Sequence, residues 1–118
     1  MSNSLLKELP FKIGEQYELN EFNLKALEST FSNGLENENY EYIKGDFKTL
    51  FGITFCSNPI LQYNGDILYG VICEFELSHY SYLKSKVNKC IFKEVTIDIL
   101  NDEGTCSLRV KKANKGMF

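Results

Sequence analysis

The amino-acid sequence predicts an α+β domain: a curved antiparallel sheet of five to six strands, mostly a meander, packed on one main N-terminal helix, with a short second helix. Three observations lead there. Apolar residues recur at three- and four-residue steps near 21–33, the stripe of an amphipathic helix. From residue 40 onward apolar and polar positions alternate, as in half-buried strands. The alternating runs are joined by tight turns rather than helix-length connections, which makes neighbouring strands antiparallel. With 118 residues and a 43% content of AVILMFWYC, the chain suits a single globular domain over 1–118, fraying at 1–10 and 111–118.

Each element has its own justification. After Pro10, Phe11, Ile13, Tyr17 and Leu19 share one parity while Lys12, Gln16, Glu18 and Asn20 share the other, a strand broken only at Glu15. The period then changes: Leu19, Phe22, Ala26, Leu27, Phe31 and Leu35 form the helical stripe. Asn20 is an acceptable N-cap, Glu21 suits the first turn, and Asn33-Gly34 supplies a left-handed stop. A strand over Asn39–Ile43 ends in the turn Lys44-Gly45-Asp46. Another alternates through Phe47, Thr49, Phe51, Ile53 and Phe55 until Ser57-Asn58-Pro59 breaks it.

Ile60 to Tyr63 leads into Asn64-Gly65, a hairpin pair whose central residues need positive φ. The outgoing strand puts Ile67, Tyr69, Val71, Cys73, Phe75 and Leu77 inward, and Leu68, Gly70, Ile72, Glu74 and Glu76 outward. Leu68 and Ile72 on that outer face suggest a sheet-to-sheet contact between copies. Residues 78–89 suit a short helix capped by Ser78, with Tyr80, Leu83 and Val87 on one side. Ile91, Val95, Ile97 and Ile99 then alternate, Asn101-Asp102-Glu103-Gly104 turns the chain, and Cys106, Leu108 and Val110 face inward on a last strand.

Composition excludes several function classes. The 13 Lys+Arg against 16 Asp+Glu give a net charge of −3, which argues against direct nucleic-acid binding, a task for clustered cations. The longest nearly unbroken apolar run, Ile67 to Cys73, is far short of the ~20 residues of a membrane-spanning helix. Met1 to Glu8 has neither part of a secretory signal, so a cytoplasmic location is expected. Cys56, Cys73, Cys90 and Cys106 include no closely spaced pair for zinc, and strand parity sends Cys73 and Cys106 inward but Cys56 and Cys90 the other way. They read as free thiols in a reducing compartment, with no metal and no cofactor.

Catalytic chemistry is thin. His79 is the lone histidine, and neither GxGxxG nor GxxxxGK[ST] occurs. A Cys–His nucleophile needs hydrogen-bond reach and an orienting third group. Glu74 and Glu76 lie about 7 Å apart along one strand face, Glu94 and Asp98 share a face of another strand, and both pairs read as solvated surface. The expectation is a non-enzyme; the alternative is a small-ligand-binding or catalytic domain with a pocket near His79.

Charge is segregated along the chain. From Glu15 to Glu41 there are seven glutamates against the single base Lys25, whereas residues 84–115 carry a net +4. The acidic stretch ends in Glu36-Asn37-Glu38-Asn39-Tyr40-Glu41-Tyr42, where tyrosines interleave with carboxylates. Carboxylates steer cationic partners, and tyrosines supply rigid contact area. The sequence therefore predicts a small protein-binding module using Glu28, Glu36, Glu38, Tyr40, Glu41 and Tyr42 against a partner with a basic surface, such as a nuclease toxin. Immunity proteins, antitoxins and other small inhibitors are the function class that fits this size and charge.

Overall fold

The longest strand grows from the longest alternation in the sequence. In the computed structural model, which describes residues 7–32, 34–88 and 95–113, Val71, Cys73 and Phe75 are fully buried on one face of a ten-residue strand, while Ile72 and Glu74 face the other way. Strands in chain order are β1 (Leu24–Ala26), β2 (Thr30–Ser32), β3 (Leu35–Tyr42), β4 (Thr49–Leu50), β5 (Ile53–Thr54), β6 (Ile60–Asn64), β7 (Ile67–Glu76), β8 (Val95–Asp102) and β9 (Thr105–Lys112). The helix α1 (Tyr80–Val87) continues a 3-10 turn over Leu77–His79. Seven strands form one antiparallel sheet in the order β1-β3-β6-β7-β9-β8, with β2 also paired to β3; β4 and β5 form a separate hairpin. Among the described residues no helix is long and apolar enough to cross a membrane.

The fold is mostly β, and the expected packing of a sheet on a main N-terminal helix is wrong. Residues 21–33 hold a 3-10 turn (Glu21–Asn23) followed by β1 and β2. Leu24, Lys25 and Ala26 oppose Tyr42, Glu41 and Tyr40, whereas Thr30, Phe31 and Ser32 oppose Asn37, Glu36 and Leu35. The pairing slips by one residue between these triplets, so 24–32 is one edge strand interrupted by a bulge. Of the expected helix stop Asn33-Gly34, Gly34 lies just before Leu35, which pairs with Ser32, at φ +79°, and residue 33 lies outside the described residues. The sequence carries the cause: Asn23, Ser29, Thr30 and Ser32 are weak helix formers whose side chains compete for backbone groups, and hairpin pairing with β3 satisfies that backbone instead.

Three smaller expectations also shift. Residues 11–19 do not form a strand: Gly14 turns the chain at φ +100°, and the segment docks by Gly14 N–H to the Leu68 carbonyl, Leu68 N–H to Glu15 and Tyr17 N–H to Asp66. Its inward side chains, Phe11, Ile13 and Tyr17, still join the core. Residues 47–55 fold back on themselves at Phe51-Gly52, both at positive φ. For Phe51 that conformation is strained; the Glu8 carboxylate accepts its N–H at 2.8 Å. The β6–β7 turn falls on Gly65-Asp66, one residue later than expected, with φ +57° and +67°.

Between β6 and β7 the register slips at Gln62/Tyr63: Gln62 faces Gly70 but Tyr63 faces Leu68. The extra residue reverses parity, so Leu68 is fully buried and Ile67 is exposed. Leu68 is therefore not part of an outer contact face. The inner face is covered by Leu9 and Phe11, by the β4–β5 hairpin with Phe47 and Leu50, and by Leu83 and Val87 of α1. Edge-to-face rings run from Tyr42 through Phe11, Phe47 and Phe55 to Phe75, with centroids 4.8–5.6 Å apart, a geometry that aromatic quadrupoles favour. Leu9 sits in the core and β9 runs to Lys112, so both ends of the described chain take part in the fold.

Buried acids set the alkaline limit of this core. Burial, then the hydrogen bond to Asp46 and its charge, pushes Tyr42 up to about 12; burial pushes Tyr63 and the Cys73 thiol up to about 12 as well. In the unfolded chain these groups lose protons near their ordinary values of 9.0 for Cys and 10.0 for Tyr. The unfolded state then holds fewer protons than the native one, so stability falls as pH rises through that window. Urea midpoints should drop steadily from about pH 9 toward 12, and tyrosinate absorbance should show a late-titrating fraction that Tyr42→Phe reduces.

Candidate functional site

The acidic stretch is split by strand geometry. Alternation along β3 sends Tyr40 and Tyr42 to the core face and Asn37, Asn39 and Glu41 to the outer face. Tyr42 is only 3% exposed, and its hydroxyl donates to Asp46 Oδ1 at 2.7 Å. Tyr40 is half-buried against Tyr17 and Tyr63, with centroids 5.2 and 5.7 Å away. Its hydroxyl is held above the usual tyrosine value, first by burial and then by Tyr17 and Glu38. These rings are structural neighbours of the core rather than free anchors. Glu41 opposes Lys25 in register and accepts from Asn58 Nδ2 at 2.8 Å. Glu28 and Glu36 are exposed and Glu38 is half-buried.

What replaces the tyrosines on the surface is the failed helix stripe. Leu19, Phe22, Phe31 and Leu35 all stand in solvent, Phe22 at 91% exposure and Phe31 at 72%. They lie in or beside β1 and β2, the outermost strand at one end of the sheet, among Glu18, Glu21, Glu28 and Glu36. No ion pair forms at these four carboxylates among the described residues; the pair found is Lys44–Asp46 at 3.5 Å. Among the described residues, none of the late cations forms an ion pair with these four carboxylates. The stripe was visible in the sequence, but as a core signal rather than a surface one.

Next to this edge, residues 27–31 overhang the outer face and close one side of a cleft of about 500 Å³. Its floor carries Asn39, Gln62, Ile60 and Ile72, and Arg109 and Lys111 form the far wall. The register aligns these groups across the sheet: Glu41, Ile60, Ile72, Arg109 and Asp98 in one row, Asn39, Gln62, Gly70, Lys111 and Thr96 in the next. The signal for this cleft was Gly70. A glycine inside the strongest strand marks a close approach, and here a Cβ would meet Gln62 Oε1 at 3.1 Å and Lys111 Cγ at 3.4 Å.

A second cleft of about 380 Å³ lies beside His79, lined by Gly52, Thr54, Cys56 and Glu76. Cys56 is exposed there, and no hydrogen bond joins it to His79 among the described residues. Cys73 is buried, and Cys106 is buried with its Sγ 3.7 Å from the Glu76 carbonyl. Burial, aided by the neighbouring Cys56, raises the Cys106 thiol. Cys90, Ile91 and Glu94 lie outside the described residues. Among those described, no group of three or more His, Cys, Asp or Glu side chains is placed to hold a metal ion.

Comparison with protein-family models, with curated proteins and with solved structures found no match. The residues therefore have to carry the functional reading by themselves. Thiol chemistry gives a direct check of the His79 cleft. In a Cys90→Ser background one thiol, Cys56, should react with a disulfide reagent in the native chain, while Cys73 and Cys106 should react only on unfolding. Two or more fast thiols would contradict the placement of Cys106.

Proposed function

We propose that the chain is a protein-binding module that docks a basic partner surface on its acidic edge strand, in the manner of an inhibitor, immunity protein or antitoxin. One observation carries the reading: Phe22, in the turn that leads into β1, and Phe31, in β2, are 91% and 72% exposed at one end of the strand order, beside carboxylates that form no ion pair among the described residues. Large apolar side chains left in solvent mark interaction surfaces. Aromatic anchors supply contact energy, and surrounding carboxylates speed encounter with a cationic surface and reject acidic ones. Compared with the sequence expectation, the charges Glu28, Glu36 and Glu38 stay in the reading, and Phe22 and Phe31 take the anchoring role first given to Tyr40 and Tyr42. A nuclease active-site cleft is a partner of suitable charge.

The test is capture of partners from the native host, followed by kinetics. Glu28→Lys with Glu36→Lys should slow association about tenfold at low salt, with the difference shrinking as salt rises. Phe22→Ser should instead speed dissociation. A captured partner that binds the charge-reversed chain at an unchanged association rate overturns the reading.

A second reading has its own observation, the cleft beside His79 with an exposed thiol in its wall. Under it the chain binds a small molecule there. A compound that raises the melting temperature of the native chain but not of His79→Ala would support it, since ligand binding stabilises the native state by mass action. Equal shifts in both would remove His79 from the site.

A further inference from the structure

Outer faces of open sheets are usually solvated, yet Asn37, Asn39, Gln62 and Ser107 on this one are all buried. A relay of hydrogen bonds fixes how the amides are turned. Asn39 Nδ2 donates to the Glu28 carbonyl at 2.9 Å and to Thr30 Oγ1 at 3.1 Å; Asn39 Oδ1 therefore faces Gln62 and accepts from its Nε2 at 3.0 Å. Such a network distinguishes amide oxygen from nitrogen. It commits Gln62, which is 9% exposed, to pointing Oε1 away from Asn39 and toward β7 and β9.

At that point the chemistry is left open. Gln62 Oε1 receives no hydrogen bond from any described residue, and the buried Nε of Arg109 across the cleft finds no acceptor among them. Both groups line the same cleft. The stem of Lys111 crosses Gly70 beside Gln62 Oε1, because a glycine there leaves room for both. A buried acceptor on β6 and a buried cationic donor on β9 thus line one cleft, with Ile60 and Ile72 between them. Each has been taken out of water without a replacement partner, a cost that a ligand would remove.

We propose that this cleft binds a small carboxylate bearing an N–H donor on the adjacent carbon, the acylamino-acid type, with the carboxylate on Arg109 and Lys111 and the N–H on Gln62 Oε1. A carboxylate fits better than a phosphate. The planar guanidinium pairs with carboxylates and phosphates alike, but among the described lining residues no helix N-terminus offers the converging N–H groups that cradle a phosphate. Glu28 on the rim also opposes a dianion. The cleft adjoins the acidic edge and shares Glu28 and Phe31 with it, but its occupancy by a small carboxylate does not depend on the protein-docking reading.

N-acetylglycine is the probe, titrated into the full chain while NMR follows the Gln62 side-chain amide and the Arg109 Nε–H. The expected result is saturable shifts of both, with acetate, which lacks the N–H, and N-acetylglycinamide, which lacks the charge, each about tenfold weaker. Arg109→Gln should weaken N-acetylglycine about tenfold. Gly70→Ala should do so as well, by displacing Gln62 Oε1. The three-ligand comparison on the unaltered chain keeps the proposal open to refutation whether or not those variants fold. Absence of saturable shifts at these two groups, or equal binding of acetate and N-acetylglycine, overturns it. So does an unchanged affinity in folded Arg109→Gln.

Discussion

A one-residue slip between β6 and β7 decides what each face of this sheet does. Below it, Tyr63 and Leu68 oppose each other inside the core; above it, Leu61 and Val71 do the same, and the residue gained in between places Gln62 opposite Gly70. In a regular ladder side chains alternate strictly, and a shift of one would expel half the core. The bulge absorbs that shift at a single position. It keeps both halves of β7 facing inward with their apolar residues, and leaves an amide opposite a residue with no side chain. Both the filled inner face and the cleft on the outer one descend from that irregularity.

Much of the architecture was legible because it depends on period-two patterns that packing reinforces. The strand with Val71, Cys73 and Phe75 inward, the β8–β9 hairpin turning near 103–104, and a helix presenting Leu83 and Val87 all follow the residue pattern. The failures share one cause. Where Leu68 met a bulge, or 24–32 slipped by one against β3, parity counted along one strand lost its meaning, since the slip is set by the partner strand. The helix error was of a different kind. The spacing of Phe22, Phe31 and Leu35 reads as a buried stripe because apolar residues are usually buried; among the described residues nothing buries them.

Site residues were legible in proportion to how far they depend on charge alone. The acidic end could be read from composition and is displayed without short-range neutralisation among the described residues. Its tyrosines could not, because whether Tyr40 and Tyr42 face solvent depends on which face of β3 meets Phe11 and Tyr63. The cleft on the outer face was invisible for the same reason. Asn39, Gln62 and Arg109 are 23 or more residues from one another in the chain, and only the order β3-β6-β7-β9 brings them onto one surface. Gly70 alone hinted at it.

Two local conflicts with stability remain, and they adjoin. Leaving a large apolar side chain in water forgoes about 1.5–3 kcal/mol of burial, and Phe22 and Phe31 both do so. Burying polar groups without full pairing costs about 1–3 kcal/mol each, and Gln62 Oε1 and Arg109 Nε both do so. An apolar outer patch would be as easy to fold, since replacing both partners of a buried polar pair by apolar groups is close to neutral. Nothing in the β-sheet requires either feature. Sequences tend to be locally consistent with their folds except where another demand overrides them, and segment 27–31 belongs to both conflicts: Phe31 stands on the exposed edge and also lines the cleft, while the Glu28 carbonyl and Thr30 hold Asn39, and through it Gln62, in position. The bulged stretch that stands where a helix was expected is therefore where both conflicts with stability meet.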